Sequence, residues 1–398
     1  MHPLTHEAFH EISTAVQDRS RVSGATHCFY RYPARFSPAF VRACIEEFTE
    51  SGDLVVDPFV GGGTTAVEAV LAGRRSFGSD INALATFVSR VKTTPIPEHE
   101  LDQLQLWFES HLYDIKVKGS SVKPSDWNHA GYFRNVSCSA TWRHQRIIQI
   151  ALGKLDLLPN EQCKEFARCV ILRTAQLALD GRRTLPTINE FRANLRRFWQ
   201  EMFEAAHAFS KMSSLQTNTA RPFIIQQSAS QIHEHEFFKA NGTPKLVVTS
   251  PPYPGVHVLY HRWQVQGRRE TPAPYWIANQ LDGDGERYYT LGNRREKELR
   301  GYFDNLKRSF DSIARLLGPD GLLIQMIAFA QPDWQLPRYL EVMDDCGLSE
   351  LNPLEIFGAS YIGQASRLWR DVPNRKWHAS MQVQAAGSKE LVLFHTKR

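Results

Sequence analysis

Short runs of consecutive apolar residues alternate along this chain with stretches whose apolar positions recur every three to four residues. Leu54-Val55-Val56, Phe223-Ile224-Ile225, Leu246-Val247-Val248, Leu322-Leu323-Ile324-Gln325-Met326-Ile327 and Leu391-Val392-Leu393-Phe394 read as buried strands. A further strand is expected near 354–357, and another over 75–79, leading to Asp80. Residues 66–71 and 302–317 have helical patterns, and 337–346 reads as a helix closed by Gly347. Gly318-Pro319-Asp320-Gly321 is a turn between the second of these helices and a strand. This alternation predicts an α/β fold, a doubly wound and mostly parallel sheet with ligands at the carboxyl ends of its strands.

Residues 96–218 break the alternation. Leu101, Leu104, Trp107 and Phe108 share a helical period, as do Ile147, Ile148, Ala151, Leu152 and Leu155. Phe166, Val170, Leu172, Ala175 and Leu177 continue it, followed by Phe191, Leu195, Phe198, Trp199 and Met202. A large, mostly α-helical insertion is expected here, with internal breaks at Lys118-Gly119-Ser120-Ser121 and Leu158-Pro159-Asn160. The sheet-bearing domain is then 1–95 with 219–398, and 254–300 forms a basic and aromatic loop region within it.

Composition narrows the class. With 398 residues, 42% of them hydrophobic, the chain can bury a full core. No stretch reaches the roughly 20 apolar residues of a membrane helix. The first residues lack the pattern of a signal peptide, so a cytoplasmic protein without membrane contact is expected. The six cysteines form no CxxC pair and no zinc-type spacing with histidine, so neither a metal nor a disulfide framework is expected. A net charge of +5 permits a nucleic-acid partner, which has to be argued from where the charge clusters.

The first strand runs into Asp57-Pro58-Phe59-Val60-Gly61-Gly62-Gly63-Thr64-Thr65. Glycines let the backbone turn tightly and approach a ligand, and the following helix offers free amides at its N-terminus. Asp80 stands about 20 positions beyond the turn, where an acidic side chain takes ribose hydroxyls in nucleotide-binding βαβ units. The turn has neither the GxGxxG fingerprint nor the lysine of a phosphate-binding loop, so a nucleoside without phosphates fits better than a pyrophosphate.

Thr249-Ser250-Pro251-Pro252-Tyr253 leaves the strand at 246–248. A hydroxyl, two prolines and an aromatic ring there make a rigid polar pocket with a stacking wall, suited to a flat base bearing an amino group. Such an amine is a poor nucleophile, because its lone pair is conjugated into the ring. The Ser250 oxygen and the Pro251 carbonyl can each accept one amine hydrogen, which aligns the lone pair for in-line transfer, and Pro252 stiffens the turn. Tyr253 offers a face to a base taken out of the helix.

These two segments resemble the motifs of the amino-methylating DNA methyltransferases. The 57–65 turn is similar to their S-adenosylmethionine motif DPFxGxGTT, and Ser250-Pro251-Pro252-Tyr253 to their catalytic motif, in the SPPY form most often seen in the cytosine-N4 branch. The segment from Phe29 to Pro38 resembles the piece these enzymes place over the methionine end of the cofactor. The resemblance implies a Rossmann-like methyltransferase fold and S-adenosyl-L-methionine as cofactor. It implies cofactor contacts from Tyr32, Arg35, Phe36, Asp57, Pro58, Phe59, Gly61, Gly62, Gly63, Thr64, Thr65, Asp80, Ile81 and Asn82. Where relatives commonly show Gly-Asp-Ala this chain has Gln227-Ser228-Ala229, so Ser228 stands in for the usual acidic contact to the adenine. The cofactor motif precedes the catalytic one, as in the family's alpha order, but the large insertion precedes the third strand instead of following it.

Two regions carry basic residues suited to DNA. After the catalytic motif, His261, Arg262, Trp263, Arg268 and Arg269 interleave basic and aromatic side chains, the former for phosphates and the latter for bases. Lys297, Arg300, Lys307 and Arg308 sit among acidic residues and read as a solvated face. In the insertion, Arg192 and Arg196 share one helical face that a phosphate backbone can use. Arg367-Leu368-Trp369-Arg370 and Asn374-Arg375-Lys376-Trp377 fall in a late loop that either reaches DNA or packs.

The expected activity is methylation of the N4 amine of cytosine in double-stranded DNA by base flipping, without a metal, with a cognate restriction endonuclease as a possible companion. Adenine N6 is the alternative base; an RNA guanine-N2 enzyme and a non-catalytic DNA-binding relative are the further alternatives.

Overall fold

The structure is a computed structural model that describes residues 4–18, 24–32, 36–117, 126–216, 221–256, 262–267, 269–283, 286–358, 367–371 and 389–398. Its centre is an eight-stranded sheet built from β1 (Leu54–Asp57), β2 (Arg75–Asp80), β3 (Phe223–Gln226), β4 (Leu246–Thr249), β7 (Leu322–Ile327), β8 (Leu348–Glu350), β9 (Leu368–Asp371) and β10 (Lys389–Lys397). The strand order is β3-β2-β1-β4-β7-β10-β8, with β9 also paired to β10. Strands β3, β2, β1, β4 and β7 are mutually parallel, and β10 runs antiparallel to its neighbours. The sheet is the doubly wound α/β arrangement that the alternating pattern predicts.

Both faces of the sheet are covered, which is why its central strands are continuously apolar rather than alternating. Leu54, Val56, Phe77, Val247, Leu323, Ile327, Leu391 and Leu393 pack on one side against the helices Arg300–Leu316 and Pro332–Asp345. Val55, Leu246, Val248, Leu322, Ile324, Met326, Val392 and Phe394 point the other way, towards His6–Val16 and Pro38–Phe48.

The helical period over 96–218 appears as Glu98–His111, Asp126–His129, Trp142–Leu152, Glu161–Leu179 and Ile188–Ser214. The longest opens on a reciprocal cap: Glu190 N donates to Thr187 Oγ1 at 3.2 Å, and Thr187 N to Glu190 Oε2 at 2.6 Å. These helices share a core with Ala83–Thr93 and with a segment far away in sequence, the hairpin β5 (Trp263–Val265) and β6 (Arg269–Thr271) followed by the helix Ala273–Ala278.

Two local expectations are corrected. The apolar residues at 354–357 belong to a short helix, Pro353–Phe357, because Asn352 caps it, its Oδ1 accepting from Leu354 N at 3.0 Å, and Pro353 fits the first helical position. Residues 368–371 are a strand against β10, not a loop, and Arg370 is buried. The predicted break at 118–121 and the cluster 374–377 lie outside the described residues.

Candidate active site

A cavity of about 590 Å³ opens at the carboxyl ends of β1, β2, β3 and β4. Strand order reverses between β1 and β4, the place where open α/β sheets bind their ligands. The volume lies within the range of small-molecule sites.

The floor is the glycine turn. Gly61 has φ +46° and Gly63 φ +77°, left-handed values that favour glycine. Gly63 also has no room for a side chain, since a Cβ there would lie 2.7 Å from Ser89 Oγ. Two side chains of the helix Ala83–Thr93 hold the turn from below: Ser89 Oγ donates to Gly61 O at 3.1 Å, and the buried Lys92 Nζ to Gly62 O at 2.6 Å.

Asp80 closes the turn from the side. Its Oδ2 accepts from Gly61 N at 3.0 Å and its Oδ1 from Asn82 N at 2.9 Å. Burial raises its carboxyl to about 6, against the opposing pull of those N–H donors. Asp57, at the end of β1, is raised to about 6 by burial too, although Thr249, Thr65 and Phe59 N donate to it.

Asn82 is the next link. Its Oδ1 caps the helix at Leu84 N and accepts from Tyr275 Oη at 3.1 Å, while its Nδ2 donates to Tyr32 Oη at 3.4 Å. Tyr275 Oη also lies 3.0 Å from Tyr289 Oη, Tyr289 donates to Asp282 Oδ1 at 2.8 Å, and Arg262 Nε to Asp282 Oδ2 at 2.7 Å. The loop that follows the β5–β6 hairpin is therefore wired to the cavity wall.

The Ser250 turn forms the opposite wall. Ser250 Oγ donates to Tyr253 Oη at 3.1 Å, and Tyr253 Oη donates to Glu390 Oε1 at 2.8 Å. Arg370 Nε lies 2.9 Å from Glu390 Oε2, at ion-pair distance but without the alignment of a hydrogen bond. The Pro252 carbonyl accepts from the buried Tyr302 hydroxyl at 2.8 Å.

Of the residues singled out in the sequence, Tyr32, Phe36, Asp57, Pro58, Phe59, Gly61, Gly62, Thr64, Asp80, Ile81, Asn82, Ser228, Ser250 and Pro252 line this one cavity. Gly63 and Thr65 stand behind it, Gly63 against Ser89 and Thr65 with its hydroxyl 3.4 Å from Val248 O. Pro251 is buried, and Tyr253 packs against the core beside Tyr302 with its hydroxyl between Ser250 and Glu390. Arg35, His261 and Arg268 lie outside the described residues.

The expected DNA face is redrawn. Trp263 is only 2% exposed, and its indole N–H donates to Tyr30 Oη at 3.0 Å, so its ring serves the core of the helical insertion and presents no face to DNA. Arg262 is committed to Asp282, whereas Arg269 is exposed on β6. Arg192 and Arg196 are engaged within the insertion, donating to the carbonyls of Ile115 and Tyr113.

Gln226, Ser230, Tyr288, Tyr289, Asn305, Arg308 and Ser309 also line the cavity; sequence reasoning missed Gln226, Asn305 and Ser309, and read Tyr288 and Tyr289 only as part of a DNA-facing segment and Arg308 as part of a solvated face. Asn305, Arg308 and Ser309 are spaced at three and four along one helix, a signal available in the sequence but masked by the charged neighbours of Arg308. Glu390 had no local signal, because nothing in Lys389-Glu390-Leu391 announces which residue the strand brings to Tyr253. Among the described residues no group of three or more His, Cys, Asp or Glu side chains is placed to hold a metal, and no helix is long and apolar enough to cross a membrane.

Residues 7–86 match the model of the N6/N4 methyltransferase family, described as DNA methylase. The chain is 36% identical over 81 residues to the Type II methyltransferase M.MvaI of Kocuria varians, covering 20% of this chain and 18% of that protein. It is 37% identical over 90 residues to the Type II methyltransferase M.BsoBI of Geobacillus stearothermophilus, covering 22% and 17%. The matches support an amino-methyltransferase relationship, and those to the two relatives span less than a fifth of the length of either. Among solved structures, the rRNA methyltransferase aviRa of Streptomyces viridochromogenes aligns over 95% of this chain and 94% of its own at 10% identity, with a TM-score of 0.39. A likeness of that size carries no inference about substrate.

Proposed function

We propose that this protein is an S-adenosylmethionine-dependent DNA methyltransferase that modifies the N4 amine of cytosine in duplex DNA. The observation that carries this reading is that the glycine turn, Asp80 and Ser250 line one cavity, with the two turns joined by the hydrogen bond from Thr249 to Asp57. The family match over 7–86 and the two Type II methyltransferases support the chemistry.

The cavity suits the cofactor. Gly61 and Gly62 keep side chains out of the turn, Asp80 offers carboxylate lone pairs to ribose hydroxyls, and Tyr32, Phe36 and Phe59 supply apolar faces. Ser228 and its neighbours take the adenine end. When bound, S-adenosylmethionine supplies an electrophilic methyl group and leaves as a thioether.

Ser250 Oγ and the Pro251 carbonyl accept the two hydrogens of the target amine and orient its lone pair in line with the sulfonium methyl. Methyl transfer to this nitrogen, with the cofactor leaving as the thioether, would make the amine cationic, and one of its protons would then pass to water. The base reaches this wall only when it is turned out of the duplex. Arg269, exposed on β6, and the helical insertion are the candidates for holding the rest of the DNA. A place in a restriction–modification pair is tested by protection of methylated DNA from a companion endonuclease.

Incubation with labelled S-adenosylmethionine and unmethylated genomic DNA, followed by digestion to nucleosides and mass identification, tests the reading. N4-methylcytosine supports it, and N6-methyladenine keeps the enzyme while changing the base. A product on RNA alone transfers the substrate class. Binding of DNA without any methylated product rejects the enzyme in favour of a DNA-binding relative.

A further inference from the structure

We infer that Glu390 sets the hydrogen-bond polarity of Ser250, so that the site accepts an amine and refuses a carbonyl oxygen. The inference rests on the proposed function and deepens it, since it concerns how that site tells one base from another.

The argument follows hydrogens along three side chains. A carboxylate has only acceptors, so Glu390 Oε1, 2.8 Å from Tyr253 Oη, obliges the tyrosine to spend its one hydroxyl hydrogen there. Tyr253 Oη, 3.1 Å from Ser250 Oγ, can then meet Ser250 only as acceptor, and so takes the Ser250 hydrogen. What Ser250 has left for the cavity it lines is lone pairs alone. Cytosine N4 and adenine N6 carry N–H donors and match those lone pairs. Thymine O4 and guanine O6 carry acceptors and meet lone pair against lone pair. An unconstrained serine hydroxyl serves either kind of partner, so without Glu390 this discrimination is lost.

Arg370 makes the polarity robust. It is buried, as is Glu390, and its Nε sits 2.9 Å from the other carboxylate oxygen. When E390Q replaces the carboxylate by an amide, the cation holds the amide oxygen on its own side and turns the NH₂ towards Tyr253. The chain then runs backwards. Tyr253 accepts from the amide and donates to Ser250, which must aim its hydrogen into the cavity against the amine. Glu390 acts through Tyr253 and Ser250 and is a positioning residue.

The test is a double-mutant cycle on kcat with methylated nucleoside as readout. Removing a preorganised partner at a reacting centre costs about 10²-fold or more, and E390Q is expected to lose at least that, with cofactor affinity unchanged. Y253F, which leaves the Ser250 hydroxyl free to rotate, is expected to lose only about 10-fold, within the range of one neutral hydrogen bond. E390Q added to Y253F is expected to change nothing further, because the wire is already cut. Equal losses from E390Q in both backgrounds, or a wild-type rate in E390Q, would overturn the inference.

If E390Q alone does not fold, E390Q with R370M replaces it. There the amide is free to present its oxygen to Tyr253, and the rate is expected within about 10-fold of wild type; a folded but inactive double variant overturns the inference. A second readout needs no activity. In protein labelled with [¹³Cζ]tyrosine, the Tyr253 signal is expected to move upfield in E390Q, because its hydroxyl no longer donates to a carboxylate. An unmoved signal overturns the inference even if the wild type methylates nothing, whereas a moved signal with no methylation by the wild type rejects the proposed function alone.

Discussion

Thr249 Oγ1 donates to Asp57 Oδ1 at 2.7 Å, and through this bond the residue that precedes the Ser250 turn is latched to the residue that opens the glycine turn. Both groups are buried, on adjacent parallel strands. Leaving a buried charged acceptor short of a donor costs about 1–3 kcal/mol or more. Thr249→Val is expected to lower stability by that amount in urea unfolding at pH 8. The loss is expected to shrink at pH 5, where Asp57, raised to about 6 by burial, is largely protonated. An equal loss at both pH values refutes the latch.

Under the proposed function, Asp80 gives cofactor binding a pH dependence. Its carboxyl is raised to about 6 by burial, and only its ionised form offers acceptors to both ribose hydroxyls. Affinity for S-adenosylmethionine, measured by calorimetry, is expected to fall as pH drops through 6 and to level off above 7. Asp80→Asn is expected to bind weakly with a flat profile. A wild-type affinity constant from pH 8 to pH 5 excludes Asp80 from the cofactor contact.

The raised carboxyls also carry a stability sign. With folded values of about 6 against ordinary values of 3.8, Asp57 and Asp80 bind more protons in the folded state between those pH values. Their contribution therefore falls as pH rises from about 4 to 6 and stays low above it. Asp57→Asn is expected to stabilise the cofactor-free protein at pH 8 and to change little at pH 4, read as the shift in Tm. A destabilised variant at pH 8 contradicts the burial cost.

Under the proposed function, Ser250→Ala removes an acceptor at the reacting amine and nothing from the glycine turn. Turnover is expected to fall about 10²-fold or more, while cofactor affinity stays within about twofold, well under the tenfold that corresponds to 1.4 kcal/mol. Loss of cofactor binding in this variant counts against its assigned role.

Gly63→Ala meets two obstacles at once. The φ of +77° is costly for alanine, and the new Cβ would lie 2.7, 3.0 and 3.1 Å from Ser89 Oγ, Cβ and Cα. A loss of about 1–3 kcal/mol is expected from the strained backbone alone. Adding Ser89→Ala should not rescue it, since the backbone and Cβ of that residue still stand in the way. Recovery of stability in the double variant would show that the hydroxyl was the sole obstacle.

The strands at 54–57, 246–249 and 322–327 were legible because helices bury them on both faces, which leaves an unbroken apolar run in the sequence. The apolar residues at 354–357 misled, since Glu355 interrupts them and Asn352 and Pro353 had already set a helix start. The glycine turn, Asp80 and Ser250 were legible as chemistry because each depends on local spacing. Trp263 was not, since an aromatic ring among arginines has the same pattern whether it faces solvent or, as here, a buried tyrosine hydroxyl. Glu390 lies 137 residues from Tyr253, and only the pairing of β10 with the sheet brings the two together.

The segment that follows the Ser250 turn does not return directly to the sheet. Trp263, Val265, Tyr275, Trp276 and Ile277 first fill the interior built by helices from 98–214, and only then does the chain re-enter as Arg300–Leu316. Two stretches separated by 48 residues, 215–262, thus complete one another, and neither is a cassette. Grafting the helices onto a related scaffold without 263–278 would leave a hollow among them and strand five apolar side chains on the donor. Recombination between relatives, in the laboratory or in descent, has to move both stretches together, so their sequences are expected to change in concert.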